Sequence, residues 1–331
     1  MKHVSQRQLV GLLLLFGAML VVMGLCILID RAPDGTIGLA WPDASFATFR
    51  YTVLGVGAIV GAALAISGVL LQALLRNPLA SPYILGVSSG AGLGVMFAMY
   101  LTFTLRSESL GMSGQTGPAI MGGLAALAVV YALGQRRGKL DPVSLVLIGV
   151  VVSTICAAGI MLFQQLVPTG LRGEFITWLM GYLPQSVNPG LLSICGAITV
   201  VGLIVAMLMG SAMDAATLGD DEARSIGLAI GPLRLVMFTL AGVLAAMTVA
   251  LAGPIGFVGL IAPHGARLIL GPRHTCLVPG AALLGVTLVL GAYAGSRLLN
   301  LGSGQLPIGI FTSLIGGPAF LWLLLSGRGQ S

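Results

Sequence analysis

Ten runs of about 20 apolar residues follow one another along this chain, covering residues 9–29, 51–75, 84–103, 115–133, 142–167, 191–209, 233–251, 255–270, 277–299 and 308–325. A bilayer core needs roughly 20 apolar residues per helix, so each run is a candidate membrane span. The weakest is 255–270, which is short and carries Pro263, His264 and Arg267. Composition agrees: 57% of the 331 residues are hydrophobic and 8% are charged. A soluble domain carries about 25% charged residues, so there is too little polar surface here to cover a water-soluble globule. The 49 glycines suit helices that approach closely. The expected fold class is an all-α polytopic membrane protein of about ten transmembrane helices.

The first run resembles a signal peptide, with Lys2 and Arg7 ahead of it. It is longer than the ~7–15 apolar residues of a signal core, and Asp30-Arg31-Ala32-Pro33-Asp34 follows instead of a small-residue cleavage site. It is expected to be a retained span.

Charge orients the set. With the N-terminus inside, the inner segments hold eleven of the 16 Lys and Arg: Lys2, Arg7, Arg76, Arg136, Arg137, Lys139, Arg224, Arg234, Arg267, Arg273 and Arg328. The outer ends hold Arg31, Arg50, Arg106, Arg172 and Arg297. The positive-inside rule therefore places both termini in the cytoplasm. The net charge of +6 belongs to this topology, since the basic residues form no patch and no nucleic-acid motif occurs.

All ten acids fall in loops or at helix ends. Ion-coupled carriers generally keep ionisable groups at membrane depth, so this alternative is disfavoured. The chain has no P-loop: Gly134-Gln-Arg-Arg-Gly138-Lys139-Leu140 is one residue short and lacks the Ser/Thr. Energy for active transport must come from a partner. Cys26, Cys156, Cys195 and Cys276 lie far apart without a CxxC, and His3, His264 and His274 have no clustered ligands, so no metal site and no cofactor are expected.

Four segments carry more than hydropathy. Residues 210–232 form the longest inner connection, containing Leu218, Gly219, Asp220, Asp221, Glu222, Ala223, Arg224 and Gly227. The acids are expected in a first helical turn, where the dipole favours anions, with Gly227 and Gly231-Pro232 ending the helical stretch. Interfacial amphipathic helices are usually basic and this one is acidic, so it reads as a docking element for a soluble partner. The second segment, Asn77-Pro78-Leu79-Ala80-Ser81-Pro82 with Gly86, interrupts helix and then restarts it. The third holds Gly253, Pro254, Gly256, Pro263 and His264, with the imidazole expected to bond backbone freed by Pro263. The fourth, Leu306-Pro307-Ile308-Gly309, breaks the chain before the last span.

These segments, with Gly61-Ala-Ala-Leu-Ala-Ile-Ser-Gly68, Gln72, Gly90-Ala-Gly92, Trp178-Leu-Met-Gly181 and Arg267, resemble the FecCD or BtuC-like permeases that import ferric siderophores, haem and cobalamin. The resemblance covers nearly the whole chain. It implies a single transmembrane permease domain over 1–331, of the type II ABC importer kind, in a bacterial inner membrane. It implies a homodimer, two cytoplasmic ATPase subunits docked on the 210–232 coupling loop, and a periplasmic or lipid-anchored binding protein, all in contact with membrane lipid. It further implies a pathway-lining fifth span whose gate is Asp141, Pro142 and Ser144, with Ser153, Thr154 and Cys156 along it. Arg50 and Arg297 match docking arginines for the binding protein. A Leu-Pro-Arg found in many relatives would place another Arg where this chain has Val53. The expected cargo is a ferric siderophore, with haem and cobalamin as the alternatives.

Overall fold

The computed structural model describes residues 5–31, 37–106, 114–136, 138–299 and 306–327. Lys2, Asp34, Glu108, Arg137 and Arg328, used in the charge reading, and His3, weighed as a metal ligand, lie outside the described residues. Thirteen α-helices are present among the described ones. They are α1 Gln6–Leu28, α2 Ala44–Leu75, α3 Val87–Thr104, α4 Thr116–Leu133, α5 Pro142–Leu166, α6 Thr169–Leu179, α7 Pro189–Leu208, α8 Gly210–Leu218, α9 Asp220–Ser225, α10 Ile230–Ala252, α11 Val258–Leu270, α12 His274–Leu298 and α13 Ile308–Gly327. Eight are long and apolar enough to cross a bilayer, and the two shorter apolar helices are α11 and α13. A helix thus lies at each of the ten apolar runs, and no described acid lies within one of these ten helices.

Two helices were not separately expected, α6 and α8, while α9 is the short helix expected to open with Asp220, Asp221 and Glu222. Gly231-Pro232, read as the end of a helical stretch, instead opens α10 at Ile230. A Pro in a first helical turn costs little, because its missing N–H has no intrahelical partner there. Two short antiparallel ladders also form, β1 Ile29–Arg31 with β2 Ile37–Leu39 and β3 Gln135–Arg136 with β4 Lys139–Leu140. Each pairs backbone at the mouth of a span, where the helix no longer does.

Local chemistry sets the helix ends. Ser5 and Gln8 form a capping box at α1, with Gln8 N–H donating to Ser5 Oγ at 3.3 Å and Ser5 N–H to Gln8 Oε1 at 3.1 Å. Asn188 Oδ1 accepts from Gly190 N–H at 2.8 Å to start α7. Arg76 closes α2 in the left-handed conformation at φ 48°, with Asn77 N–H returning to Gln72 O. Asn77 Oδ1 then takes Leu79 N–H at 2.9 Å, which turns the chain toward a 3-10 turn at Pro82–Leu85.

Burial is uneven. α2, α10 and α12 are the most buried spans and α2 packs against both others, while α1, α4, α5 and α7 are peripheral. In lipid, helices associate by close packing rather than by a hydrophobic driving force. Gly61 meets Gly285 of α12, and Gly68 meets the Gly259 carbonyl of α11, at distances that leave no room for a Cβ. Ser67 Oγ donates to Ala241 O of α10 at 2.7 Å. Cys26, Cys156, Cys195 and Cys276 are buried and free.

The interrupted segments meet each other inside this core. The Tyr83 hydroxyl donates to Ile255 O and accepts from Ile255 N–H, each at 2.9 Å. Non-helical backbone at membrane depth persists only where protein satisfies it. Tyr83 does so for the turn between α10 and α11.

Candidate functional site

Two ends of the bundle carry the polar chemistry. At one end the cap of α2, the β3–β4 hairpin, α8, α9 and the starts of α10 and α12 converge. We call this the basic face.

The 210–232 connection folds as two short helices around Gly219, whose φ of 144° and ψ of 159° break the run. An added Cβ there would meet the Glu222 carboxylate. Asp220, Asp221 and Glu222 form the first turn of α9, as the dipole argument requires. The helix closes with Gly227 N–H donating to Arg224 O at 2.9 Å and Leu228 N–H to Ala223 O at 3.0 Å, Gly227 sitting at φ 82°. Ala223 is buried beneath it, and Leu218 is exposed.

The acids of α9 divide by direction. Asp220 turns inward and accepts from Arg76 and, at 2.9 Å, from Arg234, while Arg224 approaches its other oxygen at 3.9 Å. Arg76 Nε also donates to Ala216 O at 2.9 Å, and Arg234 to Leu140 O at 3.3 Å. One carboxylate therefore ties α9 to α2 and α10, and through Arg234 to β4. Partly exposed pairs of this kind contribute of the order of 1 kcal/mol each, so the network orients α9 more than it stabilises the protein. Asp221 faces solvent at 95% exposure and Arg224 at 52%. Sequence reading treated Arg76 and Arg234 only as topology markers. None of these contacts was read from the sequence.

A second cluster pairs Asp214 with His274. The ring Nδ1 lies 2.6 Å from Asp214 Oδ1, which also accepts His274 N–H at 3.0 Å and so caps α12. His264 behaves otherwise than expected. Its Nδ1 is buried with no hydrogen-bond partner, so it does not bond backbone freed by Pro263, which lies inside α11.

At the mouth of α5, Asp141 is the N-cap, accepting Ser144 N–H at 2.9 Å and Ser144 Oγ–H at 2.8 Å, with Pro142 at N1. These two donors, aided by the nearby Arg136 and Arg234, hold its carboxyl below the usual carboxylate range. Further along, Ser153 donates to Gly149 O at 2.8 Å and Thr154 to Val150 O at 2.9 Å. Their hydroxyls are spent on their own helix. Cys156 is buried toward α3 and α4, Ser153 packs near Gly86, and Thr154 alone of the three is exposed. The side of α5 bearing Leu147, Val151, Ile155 and Leu162 is uncovered and apolar.

At the opposite end, Arg50 donates to Ile27 O and Ile29 O and pairs with Asp30, and Arg297 lies 3.9 Å from the same Asp30 oxygen. Both guanidinium side chains are only 11% exposed. Nearby, Gly253 at φ 67° starts the turn through Pro254 and Gly256, pressed against Trp178 O and Gly181. Tyr182 N–H donates to Ala252 O at 2.8 Å, and after Pro307 the Ile308 N–H donates to Gly181 O at 3.2 Å. Gly86, at φ 74°, begins α3 directly against Gly149 of α5.

This architecture has relatives. The model of the FecCD transport family matches residues 11–326. The chain belongs to the FecCD transport family. It is 36% identical over 272 residues to the hemin transport system permease protein HmuU of Yersinia pestis, covering 82% of this chain and 80% of that one. It is 36% identical over 281 residues to the cobalamin import system permease protein BtuC of Halobacterium salinarum, covering 84% and 72%. A solved structure described as an inward-facing ABC transporter of the metal-chelate type superposes with a TM-score of 0.83 at 29% identity, covering 96% of this chain and 99% of that one. This permease is accordingly a multi-pass protein of the bacterial inner membrane type and a transport component of an ABC importer.

Proposed function

We propose that this permease moves a metal-centred chelate inward through a homodimer, driven by two ATPase subunits docked on α8 and α9. The observation that carries the coupling assignment is the division of the α9 charges. Asp220 locks the helix to α2 and α10, while Asp221 and Arg224 face solvent for a partner. A helix fixed to the bundle transmits force that a free loop would dissipate.

The rest of the assignment follows from position. The basic face is the cytoplasmic one, which puts both termini inside by the charge count. The uncovered apolar side of α5 faces the second copy and the pathway, with Asp141, Pro142 and Ser144 at its inner mouth as the gate. Arg50 and Arg297 form the outer docking site for a binding protein. A ferric siderophore is the cargo favoured by sequence reading. The names of the relatives bring haem and cobalamin to equal standing.

Uptake decides among them. Cells lacking this chain are complemented with it and given labelled ferric siderophores, haem and cobalamin. Restored uptake of one, abolished by inactivating the partner ATPase, supports the reading. No restored uptake with the protein present in the membrane counts against it.

A further inference from the structure

α8 is fastened to the bundle independently of α9. It runs on from α7, with Met213 N–H donating to Met209 O at 2.9 Å across the joint. Gly210 and Asp214 stand four residues apart and so share one face of α8. That face rests on the first turn of α12. A Cβ added at Gly210 would come within 2.8 Å of Thr275 Cγ2 and 2.9 Å of Thr275 N, so only glycine allows this approach. One turn further on, Asp214 Oδ1 accepts the His274 N–H at 3.0 Å and the His274 Nδ1–H at 2.6 Å. An ionised carboxylate only accepts, which puts the ring proton on Nδ1.

The two bonds have different roles. The N–H bond caps α12, and its donor is backbone, so the cap does not need a histidine at 274. The ring bond is additional: it joins a buried side chain of α12 to α8.

α12 is well placed to receive movement from α8. Of the spans, α8 packs most against α12, and α12 in turn packs most extensively against α2 in the buried centre of the bundle. The far end of α12 carries Arg297, 3.9 Å from Asp30 at the end opposite the basic face. The other continuation of α8 is α7, which is peripheral. We propose that the bond between Asp214 and the His274 ring is the joint through which movement of α8 reaches α12, which makes both of them positioning residues for coupled transport. The inference rests on the reading of α8 and α9 as the ATPase seat.

The test uses the permease with its ATPase subunits in liposomes. It reads uptake of labelled ferric siderophore, haem or cobalamin per ATP hydrolysed, beside the unfolding midpoint of each variant. His274→Phe keeps a ring and the backbone cap but cannot donate. Asp214→Asn keeps an oxygen that accepts both bonds, and Asp214→Ala loses both. Uptake per ATP is expected to fall about tenfold in His274→Phe and Asp214→Ala, the factor implied by losing one hydrogen bond to a charged group, and to stay near wild type in Asp214→Asn. The unfolding midpoint is expected to fall most in Asp214→Ala, which alone loses the cap. A capping role by itself predicts that His274→Phe couples like wild type, and that result overturns the joint. Hydrolysis lost together with uptake places the pair in the ATPase seat itself and overturns the joint as well. Arg224→Glu and Gly219→Pro are measured alongside: full coupling in both removes the seat on which the joint rests. Wild-type liposomes that take up none of the three probes remove the importer reading, and the joint with it.

Discussion

The Tyr83 hydroxyl and the Ile255 backbone satisfy each other in both directions, at 2.9 Å each way. The turn between α10 and α11 has no helix partner at this point, and Tyr83 supplies what a helix would. Removing the hydroxyl leaves a buried N–H and C=O unpaired, which costs about 1–3 kcal/mol. Tyr83→Phe is therefore expected to lower the thermal unfolding midpoint in detergent, whereas Tyr51→Phe, at an exposed site, leaves it unchanged. Equal midpoints for the two variants would show that the turn does not need Tyr83.

Asp141 gives a pH signature. Its folded pKa is lowered, first by the Ser144 N–H, then by the Ser144 hydroxyl. A lowered folded pKa contributes stability above the unfolded value of about 3.9, and that contribution is lost as pH falls through the folded value. Asparagine caps as well as aspartate but cannot ionise. The stability gap between wild type and Asp141→Asn is expected to be present at pH 7 and to close only once the medium is acidified below the unfolded value of about 3.9 and through the lowered folded value. A gap that stays constant with pH would exclude the ionised cap. Asp141→Ala should cost about 1 kcal/mol at neutral pH, through loss of the cap itself.

How much of this was legible in the chain follows from what each feature depends on. The ten spans rest on local hydropathy, and the acidic first turn of α9 on local charge, so both could be read directly. Tyr83, Arg76 and Arg234 could not. Tyr83 meets Ile255 across 172 positions, and Arg76 meets Asp220 across 144. Such contacts are set by how helices cross, for which one sequence carries no local signal. His264 shows the converse case: Pro263 beside it suggested a backbone partner, but packing left Nδ1 buried without one.

Arg50 binds the β1–β2 hairpin at the end of the bundle opposite the basic face. Its guanidinium holds Ile27 O, Ile29 O and Asp30, so one substitution tests two roles. Arg50→Glu places a second carboxylate beside Asp30 and is expected to lower the unfolding midpoint. If Arg50 also docks a binding protein, the variant's affinity for that protein falls most at low salt, because charge attraction between two proteins is screened over ~10 Å at 0.1 M. Unchanged affinity at low salt, with a lowered midpoint, would restrict Arg50 to anchoring the hairpin.

The two charges of α9 that point in different directions make separable predictions. Asp220 holds the helix in place, so Asp220→Asn loosens its ties to Arg76 and Arg234 and should reduce both stability and coupled transport. Among the described residues the Arg224 guanidinium pairs with Asp220 and Asp221, at 3.9 and 3.4 Å, on an exposed surface. Arg224→Glu should leave the unfolding midpoint of the isolated permease within about 0.5 kcal/mol of wild type. In the reconstituted complex it should cut uptake roughly tenfold, as loss of ~1.4 kcal/mol at the docking contact requires, while ATP hydrolysis continues. Gly219→Pro should act in the same direction, since proline cannot reach φ 144° and its ring would meet the Glu222 carboxylate. Measuring hydrolysis and uptake together in liposomes separates the cases. Wild-type uptake in both Arg224→Glu and Gly219→Pro would remove α9 from the coupling path. Uptake and hydrolysis falling together would show that the ATPase no longer docks at all.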